Sequence, residues 1–472
     1  MDELNINEQD FPLFPPAELP EEVPVIEEEI PVTEQDPPAA PAPEEVAPPR
    51  RKRQPHPRQI FKEKYLPWII LGTAGILILS FLFGSISMRM DRKAAKAQQE
   101  RITELLNQEA QSLKYAAAAL AAEYDYEGAM KLLASYSGGL ATHTELMNQY
   151  NSYKTALSEL VVWDNLAQIP NLSFRTLVAD LQKASADPNR GSRYASRHIT
   201  TEEFTRILNQ LYENGYVLVS PTDFVTTATK ADGSVVLNRT SIRLPKDKKP
   251  IILTQEGVNY YSHTEKCGGF ADQLIVGANG ELTCVLGDTT GAYDLVPILN
   301  QFLEAHPDFS YEGARATIAA CGYEGLFGMD LSQTAEIQAV AQKLRSQGYD
   351  IACYTYADME YADFGVAGLR EDMEKWFSQI APILGDTNIL VYPTGGDIKG
   401  QEAYSGSKYE ALHEYGFRYF IGTSSDGRTW GLTTGDYARQ YRTIVTASNL
   451  KSNPEWYAGM FDAATVLEAS RG

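Results

Sequence analysis

The strongest constraint in this sequence is a run of 24 residues without a charged side chain, from Tyr65 to Met88. The run is rich in leucine, isoleucine and phenylalanine, and about 20 such residues suffice to cross the hydrocarbon core of a bilayer. Tyr65 and Trp68 lie where aromatic side chains collect at a membrane interface. The run is too long, and begins too late in the chain, for a cleaved signal peptide. The sequence therefore predicts a transmembrane helix over 65–88 and excludes a simple soluble enzyme.

Basic residues on the two sides of this run predict its orientation. Seven Lys and Arg residues lie in 50–64, and five lie in 89–101. The flank with more Lys and Arg normally stays in the cytoplasm, and acidic residues count little in this rule. We therefore expect a single-pass cell-membrane protein with its N-terminus inside and its C-terminal domain outside the cytoplasm.

The N-terminal segment, residues 1–64, has a composition typical of disorder. Residues 1–49 hold fourteen acidic residues, no Lys or Arg, and twelve of the 25 prolines. Such a chain buries too little apolar surface to offset the entropy of ordering. We predict a disordered, acidic, Pro-rich tail that ends in a basic cluster. It is either a solvated spacer or a docking segment for a cytoplasmic partner.

Residues 89–167 are predicted to form a helical stalk. Alanine-rich stretches such as 115–123 have high helix propensity. The stretch from Ala119 to Leu133 resembles one tetratricopeptide-type helical hairpin, and Gly138-Gly139 ends it. A single unit of this kind is too short for a solenoid, which needs about three repeats.

From residue 168 onward, apolar runs of strand length alternate with amphipathic helical stretches, which is typical of an α/β fold with a parallel sheet, either a barrel or doubly wound. Residues 89–472 carry 34 basic and 47 acidic side chains, and this negative balance argues against nucleic-acid binding. The chemistry of such folds lies at the carboxyl ends of the strands. The predicted strands are 250–254, 314–321, 350–356, 388–392, 418–422 and 442–447.

Short sequence motifs in this region resemble those of the polysaccharide deacetylase family, whose members share the NodB homology domain. Three of them occur in the expected order: Phe204–Val219, Phe309–Arg315 and Ile389–Gly395. The resemblance covers about residues 168–470. It implies a distorted (β/α) barrel over 168–472, and it suits a membrane-anchored protein of a bacterial cell envelope.

The resemblance also implies a metal site that this sequence has largely lost. The family uses two aspartates, the first as general base, and an H-x-x-x-H pair; the metal polarises an acetamide carbonyl and activates water. Here Glu256 and Gly257 match the aspartates, while Tyr354 and Asp358 match the histidines. The family's late histidine is not found near 466–468. We therefore predict a degenerate site, with Glu256 as the candidate base position, no confident metal ligand and no cofactor.

Three functions remain open at this stage. The first is a deacetylase-like protein that binds an envelope glycan, such as peptidoglycan or another polysaccharide, with lost or weakened activity. The second is an active metal-dependent N-deacetylase with a rebuilt site, in which Glu256, Asp358 and either Asp397 or Glu324 hold Mg²⁺ or Mn²⁺. The third is a structural envelope protein. The predicted groove residues are Tyr260, Tyr323, Tyr354, Tyr392 and Pro393, with Tyr261 and Tyr356 also at strand ends.

The four cysteines allow two predicted disulfides in an oxidising location. Cys321 and Cys353 end consecutive predicted strands, and neighbouring strands lie about 4.8 Å apart, within the reach of a disulfide. Cys267 and Cys284 flank a predicted hairpin that turns at 278–280. Four buried free thiols are the alternative.

Overall fold

A computed structural model describes residues 92–230 and 235–471 of the chain. The predicted acidic tail and the predicted transmembrane helix over 65–88 lie outside the described residues. Within 92–230 and 235–471, no helix is both long enough and apolar enough to span a membrane. The membrane topology therefore remains a prediction from sequence.

The described chain begins with three helices: α1 (Arg92–Ala122), α2 (Tyr126–Ala134) and α3 (Thr144–Ser158). Asp125 begins α2, because its carboxylate accepts a hydrogen bond from the backbone N–H of Gly128 at 2.7 Å. Small and apolar side chains of α1 pack against Leu133 and Leu146. The helical hairpin predicted around 119–133 is thus present, with its turn at residues 123–125.

Seven parallel strands form a closed barrel in chain order. Each strand pairs with the next, and the last pairs with the first through Thr443 opposite Leu172. This closure selects the barrel over the doubly wound sheet, and the fold prediction of a (β/α) barrel is confirmed. The strands are β1 (Asn171–Arg175), β2 (Lys249–Glu256), β3 (Thr317–Ala320), β4 (Asp350–Cys353), β5 (Ile389–Val391), β6 (Tyr419–Thr423) and β7 (Ala438–Ile444).

Sequence patterns located six of these strands and missed β1. Its sequence, Asn171-Leu-Ser-Phe-Arg175, places polar residues at alternate positions, so it lacks the continuous apolar run of a strand buried on both faces. Strand β7 also begins at Ala438, earlier than the predicted 442, because its first half carries the buried polar residues Arg439 and Gln440.

Alternate residues along each strand face the inside of the barrel and the surrounding helices. Small or β-branched side chains such as Ala319 and Ala352 fill the inside, while Leu253, Ile318 and Phe420 pack outward. Below the carboxyl ends, the interior holds neutral hydrogen bonds. Thr254 donates to Asn171 at 2.9 Å, and Asn171 donates to Gln440 at 3.1 Å, which satisfies these buried polar groups.

Helices surround the barrel, and local signals set their ends. Helix α6 begins with a capping box between Thr200 and Glu203, and Gly215 follows it with φ at +77°, as a C′ glycine does. A π turn at Trp376–Ile380 joins α10 to α11, next to Pro382. The helices are α4 (Leu181–Ser185), α5 (Gly191–Arg197), α6 (Thr201–Glu213), α7 (Ser262–Cys267), α8 (Leu295–Ala305), α9 (Thr334–Ser346), α10 (Val366–Lys375), α11 (Ala381–Leu384), α12 (Ser407–Glu414), α13 (Ala447–Ser452) and α14 (Ala463–Val466).

Short strands lie outside the barrel. Two of them form the predicted hairpin, which turns at 278–280 with Gly280 at φ +78°. The antiparallel pairs are Val161–Trp163 with Ile242–Leu244, Val225–Thr229 with Val235–Arg239, and Gly431–Thr433 with β7. Gln273–Val276, Leu282–Leu286 and Thr289–Gly291 form a three-stranded sheet, and Tyr216–Leu218 runs parallel to β2.

The helical hairpin contacts the barrel at its amino-terminal end. The hydroxyl of Tyr124 donates to the carbonyl of Asp308 at 2.7 Å, and its ring stacks on Tyr311 with 6.5 Å between centroids. The backbone N–H of Glu312 donates to the carbonyl of Glu123. These contacts fall on the chain entering β3, at the end of the barrel opposite the carboxyl-end mouth.

The structure contains neither predicted disulfide, since all four cysteines are free thiols. Cys353 pairs across the sheet with Ala320, one residue before Cys321, so the two thiols face opposite sides of the barrel wall. The Cys267 thiol instead donates to the carbonyl of Thr264, while Cys284 lies in the outer core. Proximity of two strands is therefore not sufficient to predict a disulfide, because the two side chains must also face the same side of the sheet.

Candidate functional site

The centre of the barrel mouth is filled by one carboxylate and its partners. Glu256 is the last residue of β2 and its side chain is 3% exposed. One carboxylate oxygen accepts from Arg442 Nε at 2.8 Å and from the hydroxyl of Ser173. The other accepts from the hydroxyl of Tyr354 at 2.7 Å. Both oxygens of the candidate base are therefore engaged by side chains of three other strand ends.

Arg442 crosses the inside of the barrel from β7, and its guanidinium is completely buried. Besides Glu256, it donates from Nη1 to the carbonyls of Ile421 and Gly422 at 3.1 Å, and from Nη2 to the carbonyl of Tyr392 at 2.9 Å. A buried charge is tolerated when it is paired and hydrogen-bonded in this way. Arg442 thus ties β2, β5 and β6 together around one ion pair.

Electrostatics keep this pair ionised. Burial by itself raises the pKa of Glu256, but the adjacent Arg442 guanidinium outweighs it and lowers the pKa to about 2. For Tyr354, burial and then the charge of Glu256 raise the pKa of the phenol well above its usual range. At neutral pH the cluster therefore contains a carboxylate, a guanidinium and a neutral phenol that donates its proton.

These residues do not fit the divalent metal that the family resemblance implies. A metal would need the lone pairs of Glu256, which Arg442, Ser173 and Tyr354 already occupy, and it would lie next to a fixed guanidinium charge. Gly257 offers no ligand, and Tyr354 stays protonated. Among the described residues, no three His, Cys, Asp or Glu side chains are grouped as a metal site requires.

Asp358, at the family's second histidine position, lies on the rim above this cluster. It is exposed and has a left-handed backbone, with φ at +57°. Burial of its carboxyl group and the charge of Glu256 raise its pKa to about 7, while Arg175 opposes that rise. Because the residue is exposed, solvent screens part of this effect. Asp358 lies within electrostatic range of Glu256.

The two other carboxylates considered for a rebuilt metal site lie elsewhere. Asp397 is buried outside the barrel wall, where it pairs with Arg439 at 2.6 Å and accepts from Tyr404. Glu324 is on the exposed rim and accepts from the backbone N–H of Ser262 at 2.9 Å. Neither has Glu256 or one of its hydrogen-bond partners among its own contacts, so the geometry does not support that site.

Three of the predicted groove residues do not face the mouth. Tyr260 is buried and donates to Asp294 at 2.7 Å in the outer core. Tyr392 packs on the outer face of β5 and accepts from the hydroxyl of Tyr404 at 3.0 Å. Pro393 is buried beside it. These positions satisfy local motifs of the family, but alternation along the strand directs Tyr392 away from the interior.

A row of rings lines one side of the rim instead. Tyr323 is 39% exposed, and its ring lies 6.1 Å from that of Tyr261. Tyr261 stacks on His263 with 5.5 Å between centroids, and His263 stacks on Tyr194 at 6.3 Å. We call these four residues the aromatic row. Sequence reasoning found the first two at strand ends, whereas nothing in residue spacing pointed to His263 or Tyr194.

Sequence reasoning also missed Arg442, although an arginine inside an apolar β-run was a signal.

Several rim loops hold non-glycine residues in the left-handed region. Glu324, Thr355, Asp358 and Thr394 have φ between 50° and 61°. Such conformations cost of the order of 1 kcal/mol each and concentrate at functional sites. They lie just after β3, β4 and β5, so the rim is the part of the barrel where backbone strain collects.

No family model and no curated protein matches this sequence. Among solved structures, the Streptococcus pyogenes deacetylase PplD in complex with acetate is 13% identical, covers 60% of this chain and 93% of its own, and has a TM-score of 0.34. A de-N-acetylase from Aggregatibacter actinomycetemcomitans is 12% identical, covers 58% and 95%, and has the same TM-score. Likeness this low does not establish a family for this chain.

Proposed function

We propose that this chain is a membrane-anchored, outward-facing protein that binds glycan on the rim of a deacetylase-like barrel, without metal-dependent deacetylase activity. The observation that carries the proposal is the Glu256–Arg442 ion pair at the centre of the mouth. Deacetylation needs a Lewis acid, a free base and an acid for the leaving amine. The base position here is neutralised by an internal cation, and within residues 92–230 and 235–471 no group of three His, Cys, Asp or Glu side chains could hold the metal that would act as the Lewis acid.

The aromatic row supports glycan binding. Tyrosine rings present an apolar face and a polar hydroxyl, which suits them to contact with a sugar ring. Tyr323 is exposed at the rim beside Tyr261, and the phenol of Tyr261 lies within electrostatic range of Asp358 and Tyr354. The membrane anchor and the outward orientation are part of the proposal on the strength of the uncharged run at 65–88 and its basic flanks.

The proposal is tested with the purified full-length chain in mild detergent and a neutral acetylated chito-oligosaccharide. We expect binding without acetate release and without stoichiometric zinc, manganese or magnesium. Tyr323→Ala and Tyr261→Ala each remove a ring face, and we expect them to weaken binding about three- to tenfold. Tyr115→Ala is the matched control, because Tyr115 is 71% exposed on α1, far along the chain from the rim.

Acetate release that a chelator and Glu256→Gln both abolish would replace this proposal with the rebuilt enzyme. Absence of binding to any glycan, with correctly folded protein, would leave the structural envelope protein as the better description. Equal loss of binding in Tyr115→Ala would show that the contact lies outside the rim.

A further inference from the structure

Arg175 is a cation at the mouth that the protein does not neutralise by contact. It is the last residue of β1, directly opposite Glu256 in the sheet register, and it is half-buried. Its side chain forms no hydrogen bond and no ion pair with residues 92–230 or 235–471. Its neighbour Glu256 is not available as a counterion for Arg175, because the carboxylate already accepts from Arg442 and from two hydroxyls. The residue is only half-buried and none of its side-chain nitrogens is a buried atom without a partner, so the guanidinium is accessible at the mouth.

Further positive charge is gathered beside it. The segment after β1 runs along residues 198–201, where Val178 bridges to Thr200 and His198 Nδ1 lies 2.8 Å from the carbonyl of Thr176. This pairing brings the end of α5, with Arg197, next to Arg175. Burial, and then the charges of Arg175 and Arg193, lower the pKa of Arg197. We call Arg175, Arg193 and Arg197 the arginine cluster.

This cluster is unusual for the molecule. Residues 89–472 carry thirteen more acidic than basic side chains, yet three arginines converge at one edge of the mouth. The adjacent loop connects the cluster to the aromatic row, because Tyr194 of α5 stacks on His263 and donates to its carbonyl at 3.3 Å.

We infer that the rim binds an acidic glycan, with an anionic oxygen group of the sugar chain on the arginine cluster and a sugar ring on Tyr261 or Tyr323. The inference rests on the proposed glycan-binding function and adds the substrate class. Guanidinium groups suit carboxylate and phosphate equally, since both accept two parallel hydrogen bonds. The shared chemistry is therefore an anionic oxygen pair, on a uronic acid or on a phosphodiester-linked polyol.

Acidic side chains on the same rim restrict where that group can lie. Asp358 and Glu324 lie near Tyr323, and Asp187 lies near Tyr194 and His263. Asp358 is within electrostatic range of Arg175, but the two form no ion pair. The anion is therefore expected next to Arg175 and Arg197, with neutral hydroxyls of the sugar toward Asp358.

The test compares three probes on the full-length chain in mild detergent: a tetragalacturonate, a short poly(glycerol phosphate) and the neutral chitotetraose. We expect at least one anionic probe to bind about tenfold or more tightly than the neutral one at low salt, and to lose that advantage as salt rises. Arg175→Gln should weaken anionic binding about tenfold, the range for one charge-assisted hydrogen bond, and Arg175→Lys should retain part of it.

Arg193→Gln provides a second variant that does not threaten folding, because Arg193 is exposed. Arg370→Gln is the matched control, since Arg370 pairs with Glu414 on the outer helices. Neutral and anionic probes binding equally, with Arg175→Gln and Arg193→Gln unchanged, would overturn the acidic-glycan inference and leave the proposed function intact. No binding of any of the three probes would overturn both.

Discussion

Two arginines on neighbouring strands of this barrel have opposite surroundings. Arg442 of β7 is fully buried and donates to one carboxylate and three backbone carbonyls. Arg175 of β1 reaches the rim and has no bonded partner among the described residues. The first closes the centre of the mouth as a structural tie, and the second leaves charge available at the edge. The comparison teaches that satisfied polar groups belong to the fold, and unsatisfied ones mark where a ligand is expected.

The largest effect should come from breaking the central tie. Arg442→Met leaves the Glu256 carboxylate buried without its cation, which typically costs about 3–5 kcal/mol of unfolding free energy. Urea unfolding, followed by far-UV circular dichroism, measures the loss. The double variant Glu256→Gln/Arg442→Met should recover at least half, because a neutral amide can still accept from Tyr354.

Arg370→Gln is the control for removal of a positive charge, and as an exposed pair it should cost about 0–1 kcal/mol. Equal losses in Arg442→Met and Arg370→Gln would contradict the structural role assigned to the central pair. A double variant no more stable than the single one would show that the volume of Arg442, and not its charge, holds the barrel.

Low pH should remove the stability that the Glu256–Arg442 ion pair contributes. The pKa of Glu256 is lowered from 4.5 to about 2, so its contribution is present above pH 4.5 and is lost as pH falls through 2. A shift of this size corresponds to about 3 kcal/mol. We expect stability to fall more steeply between pH 4.5 and 2 in the wild type than in Glu256→Gln/Arg442→Met. Parallel pH profiles in urea unfolding would contradict the depressed pKa.

The smallest effect on stability is expected from Asp358 on the rim, and its dependence on pH is opposite to that of Glu256. The pKa of Asp358 is raised to about 7, so its favourable contribution is present below about pH 3.8 and is lost as pH rises through 7. Asp358→Asn stays uncharged and tolerates φ of +57°. At pH 8 we expect a melting temperature about 1–2 °C above the wild type, since exposure limits the gain.

The difference between Asp358→Asn and the wild type should vanish near pH 3. A variant less stable than the wild type at pH 8 would show that the carboxylate makes a favourable contact on the rim, for example with Arg175. That outcome would also weaken the description of Arg175 as unneutralised.

The sequence by itself determined the elements whose signals are local. Apolar runs located six barrel strands and Ala-rich stretches indicated the first helices, because helix and strand preferences act within a few residues. The sequence also singled out Glu256, Tyr354 and Asp358, and the structure brings these three side chains to the mouth.

Only the tertiary structure decided what those side chains do. Glu256 meets Arg442 across 186 positions of sequence, and no spacing rule predicts a pair that barrel closure creates. Alternation across a curved wall directed Tyr392 and Cys353 outward although each lies at the correct strand end. The pKa shifts at the mouth could not be predicted from the sequence either. A pKa depends on burial and on neighbouring charges, and both are fixed only when distant strands come together.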